Sequence, residues 1–466
     1  MLVVECKTLK CNLDVASRIY ILDRLQAQGL APLVRSARMK AYELALQGSE
    51  RVKGFEQLIA GMTETEGRGP YLAGDIFCIG NHVLFLVFDE EEAGVAGIRA
   101  GIIARENTTE PMIELDGFCR KVSEALNESP SVNHSGRGTP APDYFQWQRR
   151  VPRIPVEFER AVSRWGQVSR WGKTVAERQG ILELIGDPDV RKFLKRVKDA
   201  QANEVVVEAL ALGMNRSLVN ALTEKLVGKG LLRREILIRC NWRGQKLFRL
   251  SSAEALALIA ESRAKCEFCG GAISDERIED LVTLAGPVSE LLSDGSWLIH
   301  TLNTILSRCG ITEKQIAVGS IASEEVQVMV CACGESFLFI LRDADLSVLD
   351  ARRMVEKLDE TEASQLVVMA TGQVDDGARL YLSDQARHRK RSRRNREVIL
   401  IEGLNTAMIE LQRAFNMAAL RQELSKLDIG LGLPIWTLVS ASFDLEEPMV
   451  PKQVAAAAAC GSDLAF

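Results

Sequence analysis

The chain has 466 residues, 47% of them hydrophobic and 26% charged, with a net charge of -5. That is length for several domains with sizeable cores, and the composition excludes wholesale disorder. The acidic balance excludes a uniformly basic nucleic-acid coat while leaving room for local basic patches.

The first element is a strand, Val3-Val4-Glu5-Cys6-Lys7-Thr8. Side chains alternate along a strand, so Glu5 and Lys7 share one face and Val4 and Cys6 pack on the other. A carboxylate and an ammonium side by side suit phosphodiester cleavage, in which the acid holds a hard cation and the amine orients water. The stretch resembles the Glu-x-Lys half of the active site of the PD-(D/E)XK restriction-endonuclease-like nucleases. The resemblance implies Mg2+ held by Glu5 and water oriented by Lys7. Only four residues precede Glu5, so the strand that carries the family's metal-binding Asp has no counterpart, and the domain at 1–128 reads as truncated. Asp75 and Asp89 are the substitutes available.

From Asp14 to about Met62 the apolar spacing is helical, and 75–79 and 83–88 read as strands around Gly80-Asn81-His82. Pro and Gly mark a linker from Ser129, and 129–178 continues as a basic and aromatic segment. Trp147, Trp165 and Trp171 alternate there with arginines, a pattern that grips nucleic acid or simply packs a helix; packing is the expected role.

Residues 179–262 resemble a winged helix-turn-helix. Helices are expected at 190–197, 204–212 and 217–227, followed by strands at 231–239 and 246–250 around a wing, Asn241-Trp242-Arg243-Gly244. Such a module lays its third helix in a major groove while the wing touches phosphate. Arg216, Asn220 and Lys225 are the candidate DNA contacts, with Glu224 an unfavourable neighbour. Winged helices also serve as protein-interaction modules.

Cys266-Glu267-Phe268-Cys269-Gly270 has the shape of a zinc knuckle, and Cys240-Asn241-Trp242-Arg243-Gly244 is similar to its partner, with Arg in place of the second cysteine. Cys240, Cys266 and Cys269 are three candidate ligands where Zn2+ needs four. Cys331 or Cys333 would complete the set if the fold brought them near. A zinc ribbon that keeps its metal and one that has lost it both remain open.

The segment 263–430 reads as helix, strand pair, helix, strand, an order similar to a second restriction-endonuclease-like domain. Gln327 stands where the family has Asp, Ile340 where it has Glu, and Arg342 where it has Lys, so this copy is expected to be inactive. Residues 387–396 hold seven cations in ten positions; Arg389, Lys390, Arg391, Arg393 and Arg394 are candidate phosphate contacts. Residues 431–466 read as a tail.

The expected fold is a multidomain α/β and α+β chain, with restriction-endonuclease-like α/β domains flanking a winged helix. The expected function is a DNA-binding, restriction- or defence-type nuclease-like protein that hydrolyses phosphodiesters if its N-terminal site is complete. The alternative is a non-catalytic DNA-binding or scaffold protein working with a separate nuclease or helicase. The eleven cysteines lack a regular framework and fit reduced thiols. No apolar run reaches the roughly 18 residues of a membrane span, and no secretory leader opens the chain, so a cytoplasmic protein without a membrane partner is expected.

Overall fold

The computed structural model describes residues 2–11, 13–47, 49–65, 72–89, 97–106, 110–129, 145–166, 176–202, 215–262, 264–293, 295–322, 325–390, 397–427, 434–443 and 445. The fold is mixed α/β, and the described strands form sheets of five, five and three strands. The chain divides into two units, Met1–Arg153 with Leu411–Phe466, and Ile154–Glu410.

The first unit contains β1 (Leu2–Lys10), β2 (Gly74–Ile79), β3 (His82–Asp89), β4 (Gly97–Arg105) and β5 (Gln148–Arg149). They pair antiparallel in the order β2-β3-β4-β1-β5. Alternation along β1 sends Leu2 and Cys6 to one face, into a core with Phe85, Ile103, Leu420, Leu424 and Trp436. Leu9 joins the opposite core with Ile98, Ile102, Leu22 and Phe118. Helices Val15–Ala27 and Pro111–Asn127 cover that second face. The first is covered by the residues from Leu411 onward of the helix Ala407–Leu424, and by the helix Ile435–Ser442, which lies in the stretch expected to be a tail.

A sheet covered on both faces reads as continuous apolar sequence rather than as alternation. Accordingly β4 is buried from Ile98 to Ala104. Gly101 is required in that strand, since a Cβ there would sit 2.1 Å from the Phe85 ring. Glu423 pins its helix to the sheet, pairing with Arg99 and Arg150 at 2.6 Å each. Arg99 and Glu423 are both buried, so removing either partner would strand a charge at a cost of about 3–5 kcal/mol.

The second unit holds β6 (Leu232–Arg239), β7 (Lys246–Leu250) and β8 (Arg277–Leu284), an antiparallel sheet in the order β7-β6-β8. Helix Arg216–Gly228 precedes it. Its N-cap is Asn215, whose side chain accepts from the Ser217 N–H, and it buries Val219, Leu222, Thr223 and Leu226. Helix Pro188–Ala202 contains the first helix expected from sequence; the second, at 204–212, lies outside the described residues.

The same unit continues with β9 (Ile316–Ala322), β10 (Glu325–Ala332), β11 (Glu335–Arg342), β12 (Gln365–Ala370) and β13 (Glu397–Glu402), in the order β13-β12-β11-β10-β9. The first three pair antiparallel and the last two are parallel additions, reached through helices Val348–Thr361 and Asp376–Lys390. Leu338, Ile340, Leu366 and Val368 pack against those helices with Met354, Leu358 and Leu382. Directly after β11 comes Asp343. Its carboxylate is buried and meets Arg191 at 3.3 Å, Lys195 at 2.9 Å, Trp297 Nε1 at 3.2 Å and Thr371 Oγ1 at 2.7 Å. One side chain thereby joins the helix Pro188–Ala202 to the end of the sheet.

Candidate functional site

The two knuckle-like turns fold alike. In the first, the Cys240 N–H donates to the Gln245 carbonyl at 2.8 Å and the Gly244 N–H to the Cys240 carbonyl at 2.7 Å. In the second, the Cys266 N–H donates to the Gly271 carbonyl and the Gly270 N–H to the Cys266 carbonyl, both at 2.8 Å. Each closes on a left-handed glycine, Gly244 at φ 67° and Gly270 at φ 74°, which a side chain at that position would strain.

The turns bring Cys240, Cys266 and Cys269 together with Glu276, all four donor atoms lying within 4.8 Å of one another. Glu276 is a candidate fourth donor that the sequence pattern does not reveal. Cys331 and Cys333 are not in the group. Cys331 sits on β10 opposite Ser336, and Cys333 in the turn that follows. Glu276 is buried and accepts from the Cys269 thiol at 2.8 Å and from the Asn241 N–H. These two bonds hold its carboxyl below the usual range, and the bond to Glu276 pushes Cys269 up to about 12. Cys240 moves the other way, its thiolate favoured by the Arg243 N–H despite burial. Three sulfurs and a carboxylate so disposed are a donor set for a metal ion. A tetrahedral zinc with Zn–S bonds of about 2.3 Å spaces its ligands by about 3.8 Å, which fits inside this cluster.

Cys240 directly follows β6 and Gln245 directly precedes β7, so the first knuckle is also the hairpin loop that the sequence reading expects to be a wing. Trp242 at its tip is 80% exposed. The candidate DNA contacts Arg216, Asn220 and Lys225 are exposed on the helix Arg216–Gly228. Glu224 pairs with Arg234 of β6, and Arg249 of β7 pairs with Glu235. Arg389 and Lys390 fall in the helix Asp376–Lys390, their side chains outside the described set. Arg391, Arg393 and Arg394 lie outside the described residues, as do His134 and Trp171.

At β1, Glu5 and Lys7 have partners. Arg149 grips the Glu5 carboxylate with two bonds, at 2.5 and 3.1 Å. Lys7 pairs with Asp116 of the helix Pro111–Asn127, an acid that no sequence motif singles out. Asp75, one of the two acids expected as a substitute, is engaged elsewhere. It is buried on β2, with β3 and β4 between it and β1, and its oxygens accept the N–H groups of Val34, Arg35 and Ile76 at 2.7–2.8 Å. It therefore anchors the first turn of the helix Leu33–Leu46. Asp89 ends β3 opposite Gly97, and its side chain is outside the described set. Among the described residues, no group of three or more acids, histidines or cysteines with metal-site spacing includes Glu5.

In the second unit Gln327 and Ile340 face each other across β10 and β11. Ile340 is fully buried. Arg342 bonds the Asp345 carbonyl at 2.8 Å and the Asp350 carboxylate at 3.2 Å, at the start of the helix Val348–Thr361. The Arg342 side chain thus holds a helix end.

No protein-family model, curated protein or solved structure matches the chain. Among the described residues no helix is long and apolar enough to cross a membrane, and the described cysteines are free thiols.

Proposed function

We propose that the chain is a non-catalytic nucleic-acid-binding protein whose winged-helix module is stapled by zinc and carried on restriction-endonuclease-like α/β cores. The observation that carries this reading is the position of Cys240, which is at once the base of the wing and a member of the four-donor cluster. Cys240, Cys266, Cys269 and Glu276 would hold the ion. Zinc brings no redox chemistry and, with all four positions filled by protein, offers no open site for a substrate, so its role is structural.

The chain's own residues supply the contacts. Arg216 and Asn220 are suited to base edges, and Lys225 and the cations of 387–396 to phosphate. The Glu224–Arg234 and Arg249–Glu235 pairs reduce the net charge around the helix and sheet. The steepness with which binding weakens in salt should therefore count only the remaining cations that reach phosphate, about 0.9 in slope for each.

Cleavage at β1 is the weaker reading. Glu5 is held by Arg149 and Lys7 by Asp116, and Mg2+, which sheds its waters reluctantly, is poorly held by one carboxylate already paired with a guanidinium. The test is direct. The purified chain with Mg2+ should shift duplex DNA in a gel and leave supercoiled plasmid intact. Nicking that disappears in Glu5→Ala and Lys7→Ala would restore the nuclease reading, and absence of any shift would remove nucleic-acid binding.

A further inference from the structure

Beside β1, the first unit holds an open cleft of about 360 Å3 between the helix Pro111–Asn127 and the segment that leads into β5. Phe145 and Trp147 form an aromatic wall, both half-buried and packed against the core behind them. Trp147 is fixed in place: its Nε1–H donates to Ser123 Oγ at 3.0 Å, and the Ser123 hydroxyl donates to the Cys119 carbonyl at 2.9 Å. The indole is thus preset rather than free to swing, which lowers the entropic cost of stacking a ring on it.

The charges in the cleft are unequal. Lys7 and Arg120 line it, against the single carboxylate of Asp116. Asp116 pairs with Lys7. Arg120 is exposed and, among the described residues, has no ion-pair partner. An aromatic wall beside a guanidinium with no ion pair among the described residues calls for a ligand with a flat ring at one end and an anion at the other. Guanidinium prefers phosphate and carboxylate because its parallel N–H groups match two oxygens at once.

We propose that this cleft binds a nucleoside 5′-phosphate, its base against Trp147 and Phe145 and its phosphate on Arg120. The volume lies at the small end of the range for ligand pockets, about 300–1,000 Å3, so it takes one nucleotide rather than a length of strand. A free mononucleotide and the 5′-phosphorylated end of a strand present the same chemistry. The proposal does not depend on the metal centre or the winged module, and its failure would leave both untouched.

The full chain is titrated by calorimetry with AMP, adenosine, inorganic phosphate, and a tetranucleotide with and without its 5′-phosphate. AMP is expected to saturate one site per chain, with adenosine and phosphate each at least about tenfold weaker, since each lacks half of the contacts. Arg120→Ala and Trp147→Ala should each weaken AMP by about tenfold or more, while Trp147→Phe retains a stacking ring and most of the affinity. Circular dichroism and thermal unfolding confirm that each variant folds, and if Trp147→Ala does not, Arg120→Ala and Trp147→Phe decide. A phosphorylated tetranucleotide that binds more tightly than AMP, with the same sensitivity to Arg120→Ala, makes a strand end the ligand; weaker binding makes it the free nucleotide. Folded protein that does not bind AMP, or that binds it equally well in Arg120→Ala, overturns the proposal.

Discussion

Glu276 accepts a 2.8 Å hydrogen bond from the thiol of Cys269, seven residues earlier in the chain, and so closes a ring of four donors with Cys240 and Cys266. A carboxylate is a proper zinc ligand, and its burial argues that it belongs to the centre rather than to the surface. Glu276→Ala should weaken zinc binding by more than the roughly 10–100-fold that loss of an outer-shell partner costs. Competition with a chromophoric chelator reads this out, and an unchanged affinity would leave the fourth position to another ligand.

Asp75 offers a test in pH. Burial pushes its carboxyl up to about 6 from 3.8, against the backbone N–H bonds that lower it. A folded pKa above the unfolded one means that the stability it contributes is full below about pH 4 and is lost as pH rises through about 6. Measured by urea unfolding, the wild type should lose about 2 kcal/mol relative to Asp75→Asn between pH 4 and pH 7. Parallel pH profiles for the two proteins would show that the Asp75 carboxyl is not shifted.

Asp343 gathers Arg191, Lys195, Trp297 and Thr371 at the end of β11. Asp343→Ala should cost about 3–5 kcal/mol, because it strands the buried Arg191. Denaturant unfolding of the full chain would register this, and a loss under about 1 kcal/mol would mean that the cations re-solvate freely.

The basic run is tested by salt. Replacing Arg389, Lys390, Arg391, Arg393 and Arg394 with Ala should weaken binding to duplexes of any sequence, since phosphate carries no base information. The slope of log affinity against log salt should flatten by about 0.9 for each phosphate that is no longer neutralised. An unchanged slope takes the run out of the interface.

Much of the fold was legible because periodicity reports burial. The alternation of β1 placed Cys6 in a core and Lys7 on the opposite face, and the turn residues around 241–244 marked the hairpin of β6 and β7. Two-sided burial was still readable in the unbroken apolar run of β3, but in β4 the two glycines and Arg99 interrupt that run and hide the strand. In β8 the polar run Arg277-Ile278-Glu279-Asp280 hid the strand. The site was half legible. Cys-x2-Cys announces itself by spacing, whereas Glu276 and Asp116 follow no spacing rule, and acids are mostly exposed, so nothing in the sequence set them apart. Asp75 misled for a related reason. An acid reads the same whether it awaits a cation or caps a helix 40 residues away.

The central claim is that zinc at Cys240, Cys266, Cys269 and Glu276 organises the wing for nucleic-acid binding. The measurement that tests it is duplex affinity as a function of zinc occupancy in one preparation of the full, reduced chain. The account predicts about one zinc per chain as purified, an affinity that falls by about tenfold or more when a chelator removes it, and recovery when zinc returns. Folded, reduced protein that carries no zinc and binds duplex undiminished would contradict it.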